Sequence, residues 1–241
     1  MSQTVFVAGA SGVIGRVLVP LLVEAGYTVH GATRRAELAA QLTELGAQPV
    51  VVDVFDQAAL ARELARIAPD AVVHQLTDLP AGLDPARMAQ AIADNARVRS
   101  EGTLNLVQAT LAAGCRHMVA QSIAWAYAPG AQPYDEAHRL DLAADGTRRI
   151  SVGGVAALEQ AVLNTAPLRG AVLRYGRLYG PGTGASTPPA APAVHVHAAA
   201  RAALLALRTE ATGAFNIVDD NGEVTNVKAR QVLGWVPGTT D

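Results

Sequence analysis

The apolar positions of this chain recur with two different periods, and the alternation between them predicts the architecture. Thr4–Ala8 is a short apolar run that stops at a glycine, too short for a helix and typical of a strand buried on both faces. Helical spacing follows over about Val13–Glu24, then a strand-like run at Thr28–Thr33. The alternation continues: helical over Arg35–Leu45, extended at Pro49–Val52, helical over Ala58–Ile67, extended at Ala71–His74. A longer helical stretch covers Pro85 to about Ala113, with a break expected near Gly102. Beyond it the pattern predicts a strand at His117–Gln121, a helix at Val155–Leu163 and a strand at Gly170–Leu173. Such alternation implies parallel pairing through right-handed crossovers, an α/β Rossmann-like doubly wound sheet.

After that the pattern lapses. Gly180–Pro192 is a Pro/Gly/Ala/Ser/Thr segment without periodicity, expected to be a mobile loop over a cleft. A short run at Val194–Val196, a helix at His197–Leu207, a strand at Phe215–Val218 and a short helix at Val227–Leu233 complete the prediction.

Composition narrows the function. Half of the 241 residues are hydrophobic, enough for a large core, whereas aromatics are only 4% and alanines number 49, so the interior must be tightly packed and aliphatic. A net charge of −2 gives no electrostatic footprint for nucleic acid or an acidic membrane surface. No apolar run approaches the roughly 18 residues of a membrane span, and the start leads straight into a strand, so a soluble cytoplasmic protein without a leader is expected. The lone Cys115 can form neither an internal disulfide nor a thiolate metal cluster. Of the basic residues all but Lys228 are arginine, so no lysine ammonium is available in the middle of the chain.

The strongest motif is Val5-Phe6-Val7-Ala8-Gly9-Ala10-Ser11-Gly12-Val13-Ile14-Gly15. Its glycines fall where the first strand turns into the first helix. There a dinucleotide pyrophosphate needs close approach to backbone N–H groups, and the helix must pack closely on the strand.

The Gly-x-x-Gly-x-x-Gly spacing resembles the short-chain dehydrogenase/reductase superfamily, and the rest of the chain resembles its extended branch, the NAD(P)-dependent epimerase/dehydratase family. Val52-Asp53-Val54 resembles the segment whose Asp meets the adenine amino group, and Val72-Val73-His74-Gln75-Leu76-Thr77 the fourth-strand segment lining the cofactor. Glu101-Gly102-Thr103-Leu104-Asn105-Leu106 resembles the family's Gly-Thr-x-Asn-Leu helix. Leu173-Arg174-Tyr175, running on to Tyr179-Gly180-Pro181, and Val194-His195-Val196-His197 resemble its later signatures. The resemblance implies a dinucleotide-binding domain over residues 1–175 and a small substrate lobe over 176–241 interleaved with it. It implies cofactor contacts from Gly9, Ser11, Gly12, Val13, Ile14, Gly15, Asp53, Val54, Gln75, Leu76, Thr77, Gln121 and Tyr175. At the end of the second strand, where a carboxylate would select NAD, the sequence reads Thr33-Arg34-Arg35. An arginine there suits a 2′-phosphate, so NADP(H) is favoured over NAD(H).

The family's proton relay is a Tyr-x-x-x-Lys pair on the helix after the fifth strand, plus a hydroxyl at that strand's end. Registered from Glu159, the pair falls on Ser151 and Val155; registered from Tyr127, the hydroxyl position falls on Ile123, one residue after Ser122. Tyr127, Ser122 and Tyr175 remain as candidate catalytic groups, though a tyrosine without a base or cation beside it is a poor acid at neutral pH. Tyr134 and the Asp135-Glu136 pair are weaker candidates. His195 and His197 could share a strand face, but no third ligand has useful spacing, so no metal is expected. The C-terminal segment Gly234-Trp235-Val236-Pro237 resembles the family's end, so a complete but abbreviated chain is expected, with a lobe too small for a nucleotide-sugar. Three readings follow: an atypical oxidoreductase on a small substrate, a redox-inactive dinucleotide sensor, or a non-redox lyase or isomerase. A homodimer through the helices near Asn95–Ala113 and Val155–Leu163 is the expected partner.

Overall fold

A computed structural model describes residues 3–80 and 85–238. Nine strands and seven helices are named in chain order: β1 (Thr4–Ala8), α1 (Val13–Glu24), β2 (Thr28–Thr33), α2 (Ala39–Glu44), β3 (Gln48–Val51), α3 (Gln57–Ile67), β4 (Ala71–His74), α4 (Met88–Arg97), α5 (Thr103–Ala112), β5 (His117–Ile123), α6 (Gly146–Leu163), β6 (Arg169–Tyr175), β7 (Arg177–Tyr179), β8 (Ala193–His195), α7 (Val196–Arg208) and β9 (Gly213–Ile217). Seven strands form one parallel sheet in the order β3-β2-β1-β4-β5-β6-β9. The order reverses at β1, so β1 and β4 diverge into opposite halves and open a crevice at their carboxyl ends.

Apolar side chains alternate between the two faces of the sheet and create a core on each. One core joins Val5, Val7, Val73 and Val119 to α1 and α7; the other joins Phe6, Val72, Met118 and Val172 to α3, α5 and α6. The alanine content has a specific use. Ala198, Ala199, Ala202, Ala203 and Ala206 of α7 are all buried, which lets this helix lie close against α1. Trp235, also buried, donates its indole N–H to the Ala198 carbonyl at 2.8 Å and pins the start of α7.

Several boundaries differ from the sequence expectation. α6 begins at Gly146, nine residues before Val155, because its first half (Arg148, Arg149, Gly153, Gly154) has no apolar periodicity. Its glycine is positional: a Cβ on Gly154 would lie 2.9 Å from the Ala96 Cα, so only glycine lets α6 cross α4 this closely. The break expected near Gly102 is a π turn, Val98–Gly102, through which the helical path continues from α4 to α5. β5 extends two residues further than expected, to Ile123. The segment after Tyr179 is not a free loop on both sides, since β7 and β8 flank it and pair in parallel as a separate two-stranded sheet. Among the described residues no helix is long and apolar enough to cross a membrane.

Candidate functional site

At the carboxyl end of β1, Gly9 adopts φ +86°, and a Cβ there would lie 2.6 Å from the Gln75 carbonyl oxygen. Glycine is therefore required both by the turn and by the approach of β4's extension. Gly15 serves the helix packing: its Cβ would sit 2.3 Å from the Gly9 oxygen. Gly12 caps α1 with no side-chain hydrogen bond, and no acidic residue occupies the first turn. The first N–H groups of α1 thus face the crevice without a competing anion.

The crevice above this turn is lined by Gly9, Ser11, Gly12, Arg34, Arg35, Asp53, Val54, Gln75, Leu76 and Thr77, ten of the residues expected from sequence. Val13, Ile14, Gly15, Gln121 and Tyr175 are not on its wall. Ile14 is buried in the core under α1, and Gly15 packs helix against strand. Gln121 and Tyr175 sit below the wall: Gln121 donates to the Leu76 carbonyl at 2.7 Å, and Gln75 donates to the Tyr175 hydroxyl at 3.3 Å. The Gln75 Oε1, on a residue of the crevice wall, is buried with no partner. Such an unfilled acceptor, the bare helix start and the glycine cradle fit a bound dinucleotide.

The structure adds wall residues that the motifs did not mark: Phe55, Leu60, Asp78, Leu79 and Val98. Asp78 matters most. It takes a bidentate ion pair from Arg34 (2.8 and 3.1 Å), with both side chains partly exposed. Because β2 and β4 flank β1, this pair bridges the crevice directly above the glycine turn. Nothing in the local pattern at Asp78 signals it, since the partner is 44 residues away.

At the carboxyl end of β5 and along α6, outside the lining of the crevice, lie the positions where a proton relay was sought. Ile123 and Val155 do meet, in one buried apolar cluster with Ala126 and Val152, and Val155 is 0% exposed. Trp125 and Leu140 pack on the cluster, and the Arg177 guanidinium stands 5.1 Å from the Trp125 ring centre. Ser151 is half-buried on the preceding turn of α6.

The candidate hydroxyls are drawn instead into a buried ionic network. Arg174 on β6 grips Glu159 of α6 with two hydrogen bonds (2.9 and 2.7 Å), and Ser122 donates to the same carboxylate at 2.8 Å. Tyr127 accepts from Arg174 at 3.0 Å and donates to the side-chain Oδ1 of Asn216 at 2.5 Å. Burial raises the Tyr127 hydroxyl above its ordinary pKa, outweighing the adjacent guanidinium, and burial raises Tyr175 likewise. Tyr134 and His138 stack by Tyr127, and Glu136 accepts from the Asn216 backbone at 2.7 Å.

His195 and His197 come together at 5.4 Å between ring centres, beside Tyr179, whose hydroxyl donates to Asp219 at 2.8 Å. Among the described residues no three His, Cys, Asp or Glu groups converge as metal ligands. The only lysine, Lys228, caps the Ala214 carbonyl at 2.8 Å on the far edge strand. Arg99, unmarked by any motif, is 6% exposed inside the π turn, and its Nε has no hydrogen-bond partner.

Known proteins give this geometry a context. The model of the NAD dependent epimerase/dehydratase family matches residues 5–210. A 3-diazoavenalumate denitrifying reductase from a Streptomyces species is 40% identical over 237 residues, covering 90% of this chain and 76% of that one. UDP-glucose 4-epimerase from Bos taurus is 32% identical over 153 residues, 57% of this chain and 42% of that one. Among solved structures, UDP-glucose 4-epimerase of Thermotoga maritima with UDP-glucose superposes with a TM-score of 0.78 at 19% identity, covering 99% of this chain and 94% of that one. The Brucella ovis UDP-glucose 4-epimerase in complex with NAD also reaches 0.78, at 18% identity and with 100% and 95% covered. The solved structures share the fold; the family model and the reductase extend the likeness to sequence. With glycine turn, crevice and sheet order in agreement, the chain belongs to the NAD dependent epimerase/dehydratase family.

Proposed function

We propose that this protein is an NADPH-dependent reductase that directs hydride to a small electrophile and supplies no proton to it. One observation carries the reading: where a proton relay would stand, Ile123 and Val155 close an apolar wall, and the neighbouring hydroxyls of Ser122 and Tyr127 are spent on Glu159, Arg174 and Asn216. Carbonyl reduction or sugar epimerisation needs a group that exchanges a proton with oxygen. Bound in the crevice, the dihydronicotinamide would supply a hydride, which on a carbon bearing a diazonium group displaces dinitrogen. The C–N bond breaks as the C–H bond forms and its electron pair leaves with the nitrogen, so the balance needs no proton. Similarity to a reductase named for a diazo compound and the loss of nitrogen supports this substrate class.

In this reading Gly9, Ser11, Gly12 and the start of α1 hold the pyrophosphate, Asp53 and Val54 the adenine, and Gln75 to Thr77 the cofactor's inner edge. Arg34 and Arg35, with no carboxylate at the end of β2, favour the 2′-phosphate of NADP(H) over NAD(H). Tyr127, Ser122 and Tyr175 are positioning and wall residues. Residues 176–241 carry the substrate lobe, interleaved with the domain of residues 1–175, whose sheet takes β9 and whose core takes α7, in a cytoplasmic protein whose lone thiol, Cys115, is buried. Leu104 and Ile150, exposed on α5 and α6, mark the homodimer face; a monomer in sedimentation equilibrium removes that part.

The test follows NADPH oxidation with an aryl diazonium carboxylate, with aldehydes and ketones, and with UDP-glucose, using NADPH deuterated at the transferring position. Turnover with the diazonium alone, and deuterium on the carbon that lost nitrogen, is expected. Oxidation driven by the carbonyl compounds overturns the proton-free reading. Tight NADPH binding with no oxidation in any arm replaces it with the redox-inactive sensor.

A further inference from the structure

Two arginines are deeply buried among the described residues, and they are treated very differently. Arg174 has a hydrogen bond to Glu159, Tyr127 or a carbonyl at each of its donor nitrogens. Arg99 takes part in none of the ion pairs found among the described residues, and its Nε is an orphan. The same carboxylate attracts both, since Glu159 acts on Arg99 through space, but its two oxygens are already occupied by Arg174 and Ser122. One acid therefore faces two buried cations, and one positive charge is left over. Burial pulls the Arg99 pKa down to about 10, still far enough above neutral to keep it charged. A buried cation with no partner is costly, and a sequence retains one where a ligand completes it.

Its surroundings identify the ligand. Val98, the preceding residue, lines the cofactor crevice. The charge of Arg99 is felt by His74, the last residue of β4, and Glu159 is tied through Ser122 to the end of β5. α6 crosses the helix carrying Arg99 at Gly154, next to Val155. Arg99 thus belongs to the carboxyl ends of β4 and β5, while Gly9, Arg34 and Asp53 hold the other half of the crevice. The π turn is what sets it there: the wider turn shifts the register of side chains between α4 and α5.

We propose that Arg99 binds the ribose on the nicotinamide side of the cofactor, its unpartnered N–H groups donating to the ribose hydroxyls, so that the cation this end of the crevice needs comes from the α4–α5 helix and not from α6. This deepens the cofactor reading above and rests on it. Arg99 is a binding residue here; it moves no proton.

The experiment compares whole cofactor with its adenosine half. Dissociation constants for NADPH and 2′,5′-ADP, and for NADH and ADP, are measured calorimetrically on the full chain and on Arg99→Met, Arg99→Gln and Arg99→Lys, with a melting scan of each. Loss of one charge-assisted contact weakens dinucleotide binding about tenfold or more in the Met variant while leaving the fragments within about twofold. The Lys variant recovers most of that loss. The melting temperature of the Met variant holds or rises, because an uncompensated buried charge has been removed. Gln repeats the ratio change should Met fail to fold. Equal losses on dinucleotide and fragment, or a lower melting temperature with the ratio unchanged, mark a structural arginine and overturn the proposal. If the unmodified chain binds neither dinucleotide, the cofactor reading itself fails first.

Discussion

His74 shows how one buried side chain ties stability to acidity. Its Nδ1 accepts from the Leu76 N–H at 3.2 Å, so Nε2 carries the proton and donates to Thr103 at 2.9 Å. Burial, helped by the Arg99 charge, lowers its pKa to about 4. The unfolded chain, with an ordinary histidine near 6.5, binds a proton that the native one refuses, so stability falls as pH drops from about 6.5 to about 4 and levels off below. The loss from this residue is on the order of 3 kcal/mol. Urea melts across that window should show the slope, and His74→Gln should flatten it; an unchanged slope means other groups set the acid limit. A second residue-scale prediction concerns Asp78. Its pairing with Arg34 competes with a 2′-phosphate for the same guanidinium. Asp78→Asn is expected to tighten NADPH several-fold and NADH hardly at all, since an exposed pair is worth only ~1 kcal/mol or less. Equal effects on both cofactors would show that Arg34 does not read the 2′ position.

At the scale of elements, α6 separates what the sequence could reveal from what it could not. Its apolar half was legible from periodicity. Its first half was not, because Gly154 is required by contact with Ala96 on another helix, a reason no local pattern contains. The β1–α1 turn was legible because its demands are local: a positive φ, a near backbone and a bare helix start. Arg99 was not, since a charge within a helical run reads as solvent-facing until the fold buries it. The packing of Val155 also fixes the outcome of rebuilding the relay. Ser151→Tyr with Val155→Lys would place an ammonium among Ile123, Ala126 and Val152, where the carboxylate one turn on, Glu159, is already taken by Arg174 and Ser122. That double variant should melt at clearly lower temperature and gain no NADPH affinity. Cofactor-dependent rescue in the same scan would mean that residue 155 reaches the ribose after all.

Across the whole molecule, the sheet sets positions and the later segments adjust them. β9, which completes the sheet edge, is contributed by residues 213–217, and Asn216 on it takes the Tyr127 hydroxyl, so the closing strand also locks the loop after β5. The same arrangement distributes the chain's tryptophans in a way that has an optical consequence. There are only two. Trp235 is sealed beneath α7, whereas Trp125 is half-buried, packed on the apolar wall with an arginine over its ring. Emission therefore has a protected component and a component from the carboxyl end of β5, where the proposed reading puts the nicotinamide. Reduced nicotinamide absorbs where tryptophan emits, so energy transfer should quench Trp125 strongly and Trp235 less, while oxidised cofactor, which lacks that absorption, should leave both nearly untouched. In Trp125→Phe the quenching on adding NADPH should largely vanish with binding intact by calorimetry; quenching that persists would place the ring away from the nicotinamide. If it does vanish, a single fluorescence trace reports the redox state of whatever occupies the crevice.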